Sequence, residues 1–140
     1  MLELLSPAGS MEALRAAVQN GANAVYLGVG NLNARQSAKN FTPQTLVDAV
    51  KYCHVRGVDV HLTLNTLVSD REMKEAAELI RHAAQYNIDA FIVQDLGVVQ
   101  LCRQIAPHIP IHGSTQMTVH SLPGVQLCAA MGMKRVVLSR

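Results

Sequence analysis

Short runs of apolar residues alternate along the chain with longer segments in which apolar residues recur at helical spacing. Four of the runs follow a Gly or Asn and a short polar link, the arrangement expected where a helix ends in a left-handed residue and a strand begins. These four stretches are residues 20–28, 56–65, 86–95 and 131–140. Two further apolar runs lie at residues 2–5 and 109–113. The pattern therefore predicts six strands.

The segments between these strands carry the start signals of helices. Thr42 precedes Pro43, which places an N-cap residue before a proline at the first helical position. Ser69 and Glu72 match a capping box, and the apolar residues after them fall on one face of a helix. The strands are apolar on nearly every residue, which is typical of a parallel sheet that is buried on both faces. Five helices between six strands are expected.

Six strands and five helices in 140 residues give about the same number of residues per strand–helix unit as a (β/α)8 barrel, which typically needs about 250 residues. We therefore expect an α/β fold, a partial TIM-type (β/α)8 barrel of about six parallel strands truncated at its C-terminus. Residues 1–140 are expected to form a single domain, the N-terminal portion of that barrel. A barrel that lacks strands has two open sheet edges. We expect the segment to form a homo-oligomer through them.

Composition narrows the function classes only modestly. Hydrophobic residues make up 49% of the chain, and the formal net charge of +2 is too small to indicate a nucleic-acid binder by electrostatics alone. No apolar run reaches the roughly 18 residues of a membrane helix, and the first residues lack the basic region of a secretory signal. A cytoplasmic location is the expectation. Cys53, Cys102 and Cys128 lie far apart without a CxxC pair, so they predict no metal site and no disulfide framework.

Polar side chains follow the predicted strands at their carboxyl ends, where the active site of a barrel lies. The candidates for substrate binding are Tyr26, Arg35, Lys39, Asn40, Asn65, Gln94, Asp95, His112, Ser114, Thr115 and Gln116. Arg35 and Lys39 could hold a carboxylate or a phosphate, with the alternative that they belong to a solvated loop. Asp95 and Glu3 are candidates for a general acid or base. Ser114 and Thr115 could equally be helix caps.

Several reaction classes lack their sequence signals. A Ser nucleophile needs an adjacent base that is oriented by a third group, and neither that pattern nor a GxSxG turn is present. The histidines show no HExxH spacing, and residues 28–33 do not match a glycine-rich phosphate loop. The catalytic residues are therefore left unassigned.

Six ordered motifs give the chain a resemblance to a known family. They are LLSPAGSMEALRAAVQNGANAVYLG, NARQSAKNF, LTLNTLVSDREM, IDAFIVQDLGVVQL, IHGSTQMTVHS and MGMKRVVLSR. Together they resemble the N-terminal half of the collagenase-like peptidases, peptidase family U32, over nearly the whole chain. The resemblance implies a TIM-type barrel. Some members of this family were described as collagenases, whereas others hydroxylate bases of transfer or ribosomal RNA, and several hold a [4Fe-4S] cluster through four cysteines.

The resemblance leaves three functions open. The first is RNA base hydroxylation by the full-length protein, with Arg35 and Lys39 on an anionic group and Asn65, Gln94, Asp95 and Gln116 orienting a base. The alternative is a collagenase-like peptidase, and the third is a non-catalytic segment that positions a substrate. The cluster cysteines of the family lie downstream and do not match Cys53, Cys102 or Cys128. We therefore expect residues 1–140 alone to bind no iron, hold no other cofactor and cleave no gelatin.

Overall fold

Six strands and five helices alternate along the part of the chain that the structure describes. The computed structural model describes residues 2–35 and 40–140. The strands are β1 (Leu5–Pro7), β2 (Ala24–Gly28), β3 (Asp59–Leu64), β4 (Ala90–Val93), β5 (Ile111–Gly113) and β6 (Arg135–Val136). The helices are α1 (Met11–Gln19), α2 (Pro43–Val55), α3 (Met73–Gln85), α4 (Leu96–Ile105) and α5 (Leu122–Ala130), and a 3₁₀ turn at Thr115–Met117 follows β5.

All strand pairs are parallel, and their spatial order β1-β2-β3-β4-β5-β6 follows the sequence. Each helix connects two neighbouring strands, as in a (β/α)8 barrel. The sheet is therefore a half-barrel of six strands with five helices, and the predicted fold is confirmed.

The predicted helix ends are present at all four positions. Each helix that precedes one of the four apolar runs is followed by a residue with positive φ, and these are Gly21, Gly57, Asn87 and Gly132. Asn87, with φ of 64°, is the one non-glycine among them, and Asn tolerates this conformation better than other residues. Local sequence therefore sets where each helix stops and where the next strand begins.

The starts of two helices show how far the capping signals hold. Thr42 caps α2 in a reciprocal pair with Thr45, and Pro43 occupies the first turn as predicted. At the predicted capping box, the Glu72 carboxylate accepts hydrogen bonds from the backbone N and the hydroxyl of Ser69, both at 2.8 Å. Helix α3 begins only at Met73, because the Ser69 hydroxyl donates to Glu72 instead of accepting a backbone N–H of the first turn. The box is half formed, in a turn before the helix.

The core lies between the outer face of the sheet and the helices. Val25, Val60 and Phe91 belong to one buried apolar cluster with residues such as Leu14 of α1 and Ile80 of α3. Successive side chains of a strand point to opposite faces. The residues that alternate with this core set, such as Tyr26 and Thr63, consequently face the interior of the half-barrel.

Candidate functional site

A cavity of about 450 Å³ lies at the carboxyl ends of the strands, on the inner face of the half-barrel. Seven of the predicted site residues line it. They are Tyr26, Arg35, Asn40, Asn65, Ser114, Thr115 and Gln116. Residues from three different strand ends thus share one mouth, although they are up to 90 positions apart in sequence (26 to 116).

Three predicted site residues do not line this cavity, and one lies outside the described residues. Lys39 is the residue outside the described range. Gln94 and Asp95 follow β4 but are not part of the lining. His112 lies on the inner face of β5, deeper in the half-barrel than the cavity. The structure therefore does not bring Gln94, Asp95 and His112 into the lining of this cavity, and their part in substrate binding stays a prediction.

Asp95 holds backbone groups on two elements. Its Oδ1 accepts hydrogen bonds from the N–H groups of Gly97 and Val98 at the start of α4, at 2.7 and 3.3 Å. Its Oδ2 accepts the N–H of Val68, at 3.1 Å, in the loop after β3. With both oxygens engaged, this carboxylate is a helix cap and a loop anchor rather than the general acid or base that the sequence suggested.

Replacing Asp95 by alanine is expected to lower the free energy of unfolding by about 2 kcal/mol, because three backbone N–H groups lose their acceptor. Urea unfolding followed by circular dichroism measures this loss. Asp95→Asn keeps one acceptor oxygen and is expected to lose less. A variant Asp95→Ala that unfolds like the wild type but has lost its activity would instead assign Asp95 a role in the chemistry.

Asn65, at the end of β3, links two walls of the cavity. Its Oδ1 accepts the N–H of Ala34, at 3.0 Å, in the loop after β2. Its Nδ2 donates to Ser114 Oγ at 3.5 Å. Ser114 Oγ also accepts the N–H of Gln116, at 3.2 Å, and so caps the 3₁₀ turn. The side chains of Arg35, Thr115 and Gln116 remain at the cavity surface as the groups that can contact a ligand.

Arg35 and Tyr26 form the wall opposite the 3₁₀ turn. The guanidinium carbon of Arg35 lies 5.9 Å from the centre of the Tyr26 ring. A cation at this distance from an aromatic face is attracted by the ring. Arg35 therefore has a defined position in the cavity wall, while its side chain stays exposed to solvent.

A second polar layer lies beneath the cavity. Glu3, His61, His112 and Arg135 each precede a cavity-lining residue by two positions on the same strand or its extension, so they point to the same interior. The Arg135 guanidinium donates to both carboxylate oxygens of Glu3, at 2.7 and 3.5 Å. Glu3 thus lies at the amino end of β1 in an ion pair. The expectation that it lies at the mouth as an acid or base is wrong.

The two histidines of this layer pack edge to face, with ring centres 5.0 Å apart. His61 is 3% exposed, and its Nδ1 is buried without a hydrogen-bond partner among the described residues. Burial lowers the pKa of both imidazoles, and that of His112 falls to about 4, with the neighbouring His61 and Arg135 lowering it further. Both rings are consequently neutral at pH 7.

Acid is expected to destabilise the fold through these histidines. Because the pKa of His112 is lower in the folded than in the unfolded chain, stability is complete above the unfolded value of about 6.5 and is lost as pH falls towards 4. We expect the free energy of unfolding to drop by about 2 kcal/mol more between pH 7.5 and 4.5 in the wild type than in His112→Gln. Urea titrations at the two pH values measure this. Equal losses in both proteins would contradict it.

A larger cavity, of about 760 Å³, lies elsewhere in the structure. It lies between α4 and the turn before β6, and its lining includes Arg103, His108 and Lys134. Residues 107–111 and 131–134 place it at the amino ends of β5 and β6, the end of a barrel that serves stability. Arg103 already donates to the carbonyl of Met131 at 2.9 Å. The smaller cavity at the carboxyl ends is therefore the candidate site.

The three cysteines do not fit a metal cluster. Cys53, Cys102 and Cys128 are buried on three different helices. Burial raises the pKa of Cys53 to about 11 and that of Cys102 to about 12, which opposes the thiolate form that a metal requires. Within residues 2–35 and 40–140, no group of three or more His, Cys, Asp or Glu side chains is arranged to hold a metal ion.

Three interior residues, Asn33, His61 and Thr63, were not among the site residues predicted from the sequence. Asn33 is 2% exposed and lines the cavity, but its loop position alone did not distinguish it from its neighbours. His61 and Thr63 share the phase of Asn65 along β3, so the period of two could have indicated that they point to the same interior. Nothing local could have indicated that the loop residue Asn33 is buried.

The chain is similar in sequence to a family of known proteins. A sequence model of peptidase family U32 matches residues 9–140. Over 140 residues the chain is 41% identical to the tRNA hydroxylation protein P of Helicobacter pylori, covering 99% of this chain and 33% of that protein. It is 36% identical over 139 residues to the 23S rRNA 5-hydroxycytidine synthase of Escherichia coli, covering 99% and 21%. The collagenase of Porphyromonas gingivalis is 35% identical over 118 residues, covering 84% and 28%.

The chain spans about a third or less of the length of these relatives. A solved structure of a U32 peptidase superposes with a TM-score of 0.77 at 14% identity, covering 99% of this chain and 58% of that one. At this identity the likeness concerns the fold alone. None of the helices in the described ranges is both long and apolar enough to cross a membrane.

Proposed function

Because the chain belongs to peptidase family U32, we propose that it forms the N-terminal barrel segment of an enzyme that hydroxylates an RNA base. The observation that carries this proposal is the similarity over nearly the whole chain to proteins named for RNA hydroxylation. The cavity at the carboxyl ends of the strands is the place where this segment contacts the RNA.

The cavity has groups suited to an unpaired nucleotide. Its volume of about 450 Å³ is within the usual range of small-molecule sites. Unpaired bases are recognised by stacking on aromatic or Arg planes and by hydrogen bonds to their edges. Tyr26 offers the ring, and Thr115 and Gln116 offer hydrogen-bonding groups. Arg35 offers a cation for a phosphate of the same strand.

The cavity lining also bears on the peptidase alternative, for which the collagenase relative is the specific observation. The described residues of the lining include no His, Asp, Glu or Cys. Ser114, a serine of this lining, comes two residues after His112 in the sequence. Its Oγ is hydrogen-bonded to Asn65 and to the N–H of Gln116. These residues offer binding groups rather than a nucleophile with its base. Within the proposed enzyme, the segment binds and orients the substrate.

The test uses a strain that lacks the gene for the full-length protein. Mass spectrometry of its tRNA and ribosomal RNA nucleosides should show the loss of a base that carries one additional oxygen atom, and the restored gene should return it. The purified full-length protein is assayed in parallel on gelatin. Unchanged nucleosides together with gelatin cleavage would favour the peptidase over the hydroxylase.

A [4Fe-4S] cluster in the full-length protein is part of the same proposal, with all of its cysteine ligands outside residues 1–140. The separate, buried positions of Cys53, Cys102 and Cys128 support this division. Iron and acid-labile sulfide should be found in the full-length protein and not in the purified segment. The proposed location is the cytoplasm, in keeping with the relatives named for tRNA and rRNA modification.

Self-association of the isolated segment is expected because, within residues 2–35 and 40–140, β1 and β6 each pair with one strand and lie at the two edges of the sheet. The apolar side chains exposed at these edges and on α5 include Leu2, Leu4, Leu127 and Leu138. Unpaired strand edges with apolar side chains favour pairing with another chain. Light scattering of residues 1–140 should give the mass of a dimer or larger. A stable monomer at micromolar concentration would contradict this expectation.

A further inference from the structure

The loop after β2 is held in place by Asn40, whose Nδ2 donates to the carbonyls of Gly30 and Arg35 at 2.7 and 3.3 Å, and by the buried amide of Asn33. The Oδ1 of Asn33 accepts the backbone N–H of Arg35 at 3.1 Å, and its Nδ2 donates to the carbonyl of Gly30 at 3.1 Å. The Asn33 side chain is 2% exposed, although it belongs to a surface loop. A buried amide with both of its ends paired fixes the backbone on either side of it.

The last residue of β2 is shaped to receive this amide. A Cβ atom on Gly28 would lie 2.5 Å from Cγ of Asn33 and 2.6 and 2.7 Å from its two polar atoms. No real Cβ contact is that short, so the Asn33 amide lies in the space that a side chain at position 28 would fill. Gly28 has no positive φ, and the absence of a Cβ is therefore needed for space rather than for backbone conformation.

The backbone fixed by Asn33 carries Arg35. Asn65, at the end of β3, holds the adjacent N–H of Ala34, so two successive backbone N–H groups, those of Ala34 and Arg35, are bound by side chains. Arg35 itself forms no ion pair within residues 2–35 and 40–140, and its place at the cavity comes from the backbone and from Tyr26. The backbone from which the guanidinium extends thus depends on the amide of Asn33, together with Asn40, whose Nδ2 donates to the carbonyl of Arg35 at 3.3 Å.

We infer that Asn33 is the positioning residue that sets Arg35 against a phosphate of the bound RNA strand. This inference rests on the proposed function and gives Asn33, a cavity-lining residue that is 2% exposed, a role that acts through Arg35. Loss of the Asn33 amide frees the N–H of Arg35 and lets the guanidinium move away from the phosphate. The same displacement follows when a methyl group at position 28 pushes the amide out.

The experiment measures binding of an unmodified, in vitro transcribed tRNA to the full-length protein at several salt concentrations. Asn33→Ala and Gly28→Ala are each expected to raise Kd about tenfold, and Arg35→Ala about 100-fold. The double variant Asn33→Ala/Arg35→Ala is expected to bind like Arg35→Ala, because Asn33 acts through a guanidinium that this variant no longer has. Each lost phosphate contact lowers the slope of log Kd against log salt by about 0.7.

The control is Asp89→Asn, at the opposite end of the half-barrel. Asp89 Oδ2 accepts hydrogen bonds from the N–H of Val60 and from His54 Nε2, both at 2.7 Å. This variant loses stability without touching the cavity, so its salt slope should equal that of the wild type. Amide hydrogen exchange of the peptide containing Arg35 should speed up in Asn33→Ala and Gly28→Ala but not in Asp89→Asn.

The outcomes separate the two proposals. Additive effects of Asn33→Ala and Arg35→Ala, or an unchanged salt slope in Asn33→Ala, overturn the positioning role while leaving RNA binding intact. A wild-type protein that binds no tRNA or ribosomal RNA overturns the proposed function, and the phosphate contact with it. Unchanged hydrogen exchange at Arg35 in both loop variants overturns the structural basis of the inference, whatever the RNA assays give.

Discussion

Replacing Arg35 by alanine in the full-length protein is expected to raise KM for RNA about 100-fold and to change kcat little. The reason is that a guanidinium can make charge-assisted hydrogen bonds to a phosphate, which contribute about 2–3 kcal/mol when they are well aligned. A contact made equally in the ground state and the transition state appears in KM rather than in kcat. Steady-state hydroxylation of an unmodified RNA, followed by mass spectrometry of its nucleosides, gives both constants.

Arg35→Lys is the matched control. Lysine keeps the charge but presents a single ammonium group in place of the planar fork, so an intermediate rise in KM is expected. If Arg35→Ala lowers kcat and leaves KM unchanged, Arg35 acts in the chemical step, and the phosphate contact is the wrong assignment. Wild-type kinetics in Arg35→Ala would show that this loop does not meet the substrate.

Replacing Phe91 by alanine is expected to lower the free energy of unfolding by about 3–5 kcal/mol. Phe91 is 0% exposed, and it lies on β4 between Leu62 of β3 and Ile111 of β5. Its removal leaves a cavity where the sheet meets the helices. Because domains of this size have about 5–15 kcal/mol of stability in total, this loss is a large fraction of the stability of the fold.

Val55→Ala is the control for this substitution. Val55 is 84% exposed at the end of α2, so its truncation should change the unfolding free energy by about 0.5 kcal/mol or less. Urea unfolding of both variants, monitored by far-ultraviolet circular dichroism, makes the comparison. A loss below about 1 kcal/mol for Phe91→Ala would mean that the core around β4 can collapse to fill the space.

The fold could be predicted because its signals are local. Each helix end carries its own Gly or Asn, as at Gly57 and Asn87, and each strand is a short apolar run. The start of α3 was less predictable, because Ser69 can either cap the helix or donate to Glu72. Which of these two hydrogen bonds forms depends on the path of the whole loop after β3.

The site could be predicted only in part, because strand-end residues compete for different uses. Asp95 follows its strand as Asn65 does, but the free N–H groups at the start of α4 bind its carboxylate. The side chains of His112 and Ser114 point to the same interior face of the half-barrel. His112 comes two residues earlier on the strand, so it lies below the cavity that Ser114 lines. Asn33 is buried because its amide occupies the space beside Gly28, the last residue of β2, which has no side chain. The sequence alone does not show that these two residues meet in the fold.

The order of strands in the sheet has a consequence for how the chain acquires its structure during synthesis. Each new strand pairs with the one made just before it, so every pairing from β1·β2 to β5·β6 can form as soon as its helix has left the ribosome. The ion pair of Glu3 and Arg135 joins residues 132 positions apart. It can form only after all five strand pairings have formed and the sheet has curved. This ion pair should therefore be one of the last contacts to form during folding.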